Sequence, residues 1–124
     1  MTVTKKQLIN GTANFVLKEV VPAINDTALK AIIVAGTKLV QQSETAADGF
    51  LSNSVVQMFL PEENGAYDFT AAYEAIRSAL AECGVFPITI APIPLIMKEE
   101  KTLSFGVADI DNLHKHIQEA AANG

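Results

Sequence analysis

Carboxylates and imidazoles crowd together in one place, at Asp109, Asp111, His114 and His116. Such residues within one or two helical turns are the raw material of a metal site or of acid–base catalysis. Helical geometry opposes the metal. His114 and His116 are two positions apart, about 200° around a helix, and so point to opposite sides. Asp111 and His114 share a face at i, i+3, but zinc usually takes three or four ligands. The expectation is helix capping plus ordinary surface histidines, with no catalytic, cofactor-binding or metal-ligating residue assigned and no cofactor. For an enzyme or ligand-binding protein, Asp111 and His114 are the only residues to nominate.

Other chemistry is scarcer still. The chain has no Gly-rich phosphate loop, no Cys-x-x-Cys, no Gly-x-Ser-x-Gly and no His-Glu-x-x-His. The pairs Glu62-Glu63 and Glu99-Glu100 fit solvated turns. Tyr67 and Tyr73 fit a staple and a core position rather than binding platforms. Cys83 is the single cysteine and cannot form an intramolecular disulfide. Its place on the apolar stripe of a helix predicts a buried, inert thiol.

Composition narrows the partners. With 124 residues, one core is expected, a single domain over residues 1–124. Hydrophobic residues at 49% and charged residues at 19% exclude a disordered chain. A net charge of -5 opposes binding to nucleic-acid phosphates or anionic lipid, so neither is an expected partner. Met1 to Asn10 lacks the apolar core of a signal peptide. Ala28 to Val40 carries Lys30 and Lys38 and is shorter than the ~20 residues of a membrane span. A cytoplasmic protein is expected.

The elements that would position these residues are mostly helical. Thr4 and Gln7 have capping-box spacing, with Val3 and Leu8 as a hydrophobic staple. Ile9, Ala13, Val16 and Val20 then form a stripe, widened by Leu8, Leu17 and Ala23, until Pro22 ends or kinks the helix. Gly11 is either tolerated there or marks the close approach of another backbone. A second helix follows Asn25 or Asp26 as N-cap. Its stripe, Leu29, Ile32, Ile33, Gly36 and Val40, is flanked by so many apolar residues that only Lys30, Thr37, Lys38 and Gln41 stay polar. Such a helix is central in its domain or shared with a second copy of the chain.

Asp48-Gly49 looks like a turn, and Asn53 or Ser54 caps a short helix stopped by Pro61. Pro61 to Ala66 reads as an exposed loop around Asn64-Gly65. Asp68 caps a third long helix, with Phe69, Ala72, Tyr73, Ile76, Leu80 and Cys83 on one face and Gly84 at its end. Val85 to Met97 is apolar but broken by Pro87, Pro92 and Pro94, which exclude a helix. Ile88 and Ile90 alternate with smaller residues and should face the helices from one side of an extended strand. A hairpin of Ile93–Met97 with Thr102–Phe105, around a four-residue turn, is predicted. The Pro-rich segment is expected to cross the helices and close the core, the alternative being exposure to a partner. The last helix starts near Asp109 on the stripe Ile110, Leu113 and Ile117, and Ala120 to Gly124 should fray.

One stretch is familiar. Phe86-Pro87-Ile88-Thr89-Ile90, Pro92-Ile93-Pro94-Leu95, Glu100 to Phe105 and Asp109-Ile110-Asp111 with Leu113 resemble the C-terminal part of small uncharacterised proteins. These come from prophage and mobile-element regions of Gram-positive bacteria. Gly49 to Asn53, Val56, Met58 and Asn64 to Asp68 are similar too. The resemblance spans about half the chain and implies a phage-related setting, with no functional residues to carry over.

The expected fold is mainly α (α+β): a helical bundle with a small C-terminal β-hairpin from the Pro-rich segment. The expected function is a non-catalytic interaction or assembly protein, acting as a homo-oligomer or with a protein partner. A small enzyme or ligand-binding protein with a pocket between helices and hairpin is the alternative.

Overall fold

The computed structural model describes residues 1–123. Thr4 caps helix α1 (Lys5–Phe15): its side chain accepts from the Gln7 N–H, and the Gln7 side chain accepts from the Thr4 N–H. Val3 and Leu8 are both buried in one cluster, as the staple requires. Beyond Phe15 the helix widens into a π turn, Val16–Val20, and tightens into a 3-10 turn, Val21–Ala23, around Pro22. The wide turn resets the helical phase. Phe15 and Val21 are consequently buried, whereas Val16 and Val20 of the expected stripe are only half-buried.

Asp26 caps α2 (Thr27–Gln42) through the Leu29 N–H. Among the described residues of α2, Leu29 alone is buried. This helix lies on the outside of the molecule, with Leu39 more than half exposed. Asp48-Gly49 is no turn but part of α3 (Glu44–Leu51), capped by Ser43, because Ala47 and Leu51 are drawn into the core on its inner face. Asn53 caps the short α4 (Ser54–Phe59).

The presumed loop after Pro61 is a tight hairpin. Strands β2 (Glu62–Glu63) and β3 (Ala66–Asp68) are joined by Asn64 and Gly65, at φ 55 and 77. Two consecutive positive φ values are what a type I′ turn needs, and Asn-Gly is its preferred pair. Strand β1 (Thr2–Thr4) closes the other edge, giving the antiparallel order β1-β3-β2 with Val3 opposite Tyr67. This small sheet ties the chain start to the cap of α5 (Phe69–Cys83), where Asp68 accepts from the Ala71 N–H.

The C-terminal hairpin exists, but its strands differ from the expected ones. Strand β4 is Phe86–Ile90 and pairs antiparallel with β5, Lys101–Phe105, in a register that sets Ile88 opposite Leu103. Ile93–Met97 makes one isolated bridge instead of a strand. Pro92 and Pro94 remove the donors that a ladder there would use, whereas one proline, Pro87, is tolerated in an outer strand. The Pro-rich segment closes the core only in part. Met97 is buried against Ile24 and Leu29, while Phe86, Ile88, Leu95 and Ile96 are exposed.

Gly106 precedes α6 (Val107–Ala122), two residues ahead of the expected start, and its N–H is held by Asp109 Oδ2 at 2.8 Å. The helix runs on through Ala120 to Ala122 rather than fraying, and Gly124 lies outside the described residues. Ile110 and Ile117 are fully buried. At Gly11 the close approach is real: a Cβ built there would stand 2.7 Å from the Ile117 Cα. The fold is mainly α, with α1 and α6 at its centre and two small antiparallel sheets. Among the described residues, no helix is long and apolar enough to cross a membrane.

Candidate functional site

The two histidines leave α6 on opposite sides, as their spacing predicts, but neither is an ordinary surface residue. His114 turns toward α5. Its ring stacks on Tyr73 at 4.2 Å between centroids and on Phe69 at 6.0 Å. His116 turns toward the end of α1 and is buried. Its Nε2 lies 3.1 Å from Glu19 Oε1, and its ring rests beside Phe15. Sequence periodicity missed this pair because the π turn, not a regular helix, aims Glu19 at His116. The one visible signal was the nearby Pro22.

Asp111 does more than answer the helix dipole. Its Oδ1 accepts from the Tyr73 hydroxyl at 2.7 Å and from Arg77 Nε at 3.0 Å. Those two donors sit at i, i+4 on one face of α5, a spacing that places both over the same acceptor. The Tyr73 hydroxyl, followed by the Arg77 guanidinium, holds the Asp111 carboxyl below the ordinary aspartate range. The same hydrogen bond raises the Tyr73 phenol, because losing its proton would set an anion against a carboxylate. The Tyr73 hydroxyl and the Arg77 guanidinium both serve to join α5 to α6 through Asp111 Oδ1, with the His114 ring stacked beside them. Arg77 and Asp111 are both exposed enough for water to screen the pair heavily.

Acid titration tests this arrangement. A carboxyl whose folded pKa is depressed stabilises the fold above its unfolded pKa, and that contribution is lost as pH falls through the folded value. Asp111 and the N-cap Asp26 both behave this way, Asp26 through the Leu29 N–H and then Lys101. Thermal melts between pH 6 and about 2 should therefore fall below pH 4. Asp111→Asn should flatten part of that fall; a variant with the wild-type profile would show that the Tyr73–Asp111–Arg77 link carries no stability.

Cys83 corrects the expectation of a buried thiol. It is exposed, because burial along α5 stops at Leu80 and the last turn overhangs the core.

Two clefts are lined mostly by apolar residues. One of about 390 Å³ lies between α1 and α2, lined by Ile9, Ala13, Ile32 and Gly36 among others. A second, of about 780 Å³, opens between the helices and the inner face of the hairpin, where Ile88, Ile90 and Leu103 stand. Both are lined by Val16, Ile33, Phe50 and Ile90, so they form one continuous trench. Ile88 and Ile90 thus face the helices on one side of the strand, as their alternation implies, but across an open gap. Asp111 and His114 do not line it. Volumes of this order suit an apolar side chain cluster or a small ligand. No family model matches the chain, and neither a curated protein nor a solved structure matches it.

Proposed function

We propose that the chain is a non-catalytic interaction or assembly protein that self-associates through the apolar face formed by α2, the trench and the hairpin. The observation that carries this is an excess of surface. The chain exposes 7681 Å², against about 6,400 Å² for a compact monomer of 13.2 kDa. The difference of about 1,300 Å² exceeds the roughly 800 Å² that each partner contributes to a standard interface. Much of what is exposed is aliphatic or aromatic, including Leu39, Phe50, Phe86, Ile88 and Leu95. In this reading the setting is cytoplasmic, and the resemblance of the C-terminal segments to prophage proteins supports a phage-derived assembly.

The alternative, a small enzyme or ligand-binding protein, draws on the trench between helices and hairpin. Its charged lining there is the Asp26–Lys101 ion pair with Glu19 and Asp109, each already engaged, Glu19 with His116 and Asp109 with the Gly106 N–H, and neither Asp111 nor His114 is present. Light scattering at micromolar concentration separates the two. Self-association gives at least twice the 13.2 kDa chain mass. A monomer mass throughout would overturn it and leave the trench to a small ligand.

A further inference from the structure

The turn that joins β4 to β5 carries an apolar knob. Leu95 is 103% exposed and Ile96 is 57% exposed, the most projecting aliphatic pair in the described residues. Leu95 also sits at φ 70, a left-handed backbone uncommon for leucine. The turn is not loose. The Ile93 N–H donates to the Met97 carbonyl at 2.9 Å, and the Met97 N–H returns a bond to Ile93 at 2.8 Å. Met97 itself is buried against Ile24 and Leu29. Anchoring Met97 on the chain's own helices leaves Leu95 directed away from them, so the knob does not fill its own trench.

Resting on the self-association proposed above, we infer that the trench of one chain receives the Leu95–Ile96 knob of a second copy, exchanged reciprocally about a two-fold axis. Three features meet in this arrangement. The knob is apolar and held in shape, which lowers the ordering cost of docking. The trench is apolar and open along Phe50, Ile33 and Ile90. The surplus surface of about 1,300 Å² is enough for a stable symmetric interface. Reciprocal exchange closes the assembly at two chains, since each copy offers one knob and one trench.

Two variants separate the halves of the junction. Leu95→Asp alters only the exposed knob, and aspartate tolerates a left-handed backbone better than leucine. Phe50→Asp alters the trench wall at an exposed position. Each should leave the far-ultraviolet dichroism of the wild type intact and weaken dimerisation about a hundredfold or more by burying a charge at the junction. Mixing them should recover part of the dimer, because one of the two junctions then pairs an intact knob with an intact trench. Dimers that survive Leu95→Asp but fall apart in Phe50→Asp or Leu39→Asp would overturn knob exchange and keep self-association. Absence of recovery on mixing would also overturn the exchange. A wild-type monomer would remove both proposals.

Discussion

Gly11→Val is expected to destabilise the fold by about 3 kcal/mol, the largest effect of any single glycine substitution. The position faces the backbone of Ile117 as well as its side chain, and the backbone cannot swing away. A Cβ would stand 2.7 Å from both Cα and Cγ1 of Ile117, and 3.1 Å from its backbone nitrogen. Helices α1 and α6 must therefore separate, and Ile117 is fully buried among Val3, Leu8 and Phe69. Even alanine should destabilise, although it gains roughly 1 kcal/mol of helix propensity over glycine. Gly36 supplies the control. Nothing lies within 4 Å of a Cβ built there, so Gly36→Ala should stabilise by about 0.5–1 kcal/mol. Urea melts on the three variants decide it. A Gly11→Ala protein as stable as Gly36→Ala would mean that the two helices do not touch at this point.

The helix starts were legible in the sequence because capping is local chemistry. Thr4, Asp26 and Asp68 each accept the predicted backbone N–H three positions on. The stripe of α5 was legible for the same reason, up to Leu80. Cys83 was not, since burial depends on what lies opposite, and nothing covers the last turn. The β1-β3-β2 sheet escaped notice because strands of two or three residues have no period to detect. Its pairing joins Thr2 to Asp68 across more than half the chain, a non-local choice that no window reveals.

Glycine misled at Asp48-Gly49, where the pull of Ala47 and Leu51 into the core outweighs a propensity penalty of about 1 kcal/mol. The candidate site shows the same division. The opposed directions of His114 and His116 follow from 100° per residue. Their partners do not: Tyr73 and Arg77 come from another helix, and Glu19 arrives through a π turn. The density of apolar residues in α2 and in the Pro-rich segment was plain, but whether such residues are core or surface is settled only by neighbours.

That question is sharpest for the phenylalanines, which look alike in sequence and differ completely in place. Phe69 follows the cap of α5, is 2% exposed, and donates its N–H to the Met1 carbonyl at 3.0 Å. Its ring stacks on His114 and belongs to the cluster that includes Val3, Leu8 and Ile117. Phe86 begins β4 and is 62% exposed. Truncating a buried phenylalanine costs about 3–5 kcal/mol, from lost transfer energy plus the cavity that remains. That is a large share of the 5–15 kcal/mol typical of a whole domain. Phe69→Ala should therefore lower the urea midpoint steeply, with its cooperative slope retained if the native state survives. Phe86→Ala should stay within about 0.5 kcal/mol of the parent in melts of the monomer. If the two losses were equal, the hairpin would share the core with the helices. The exposed face on which the assembly proposal rests would then be buried, and the prediction of self-association would fall with it.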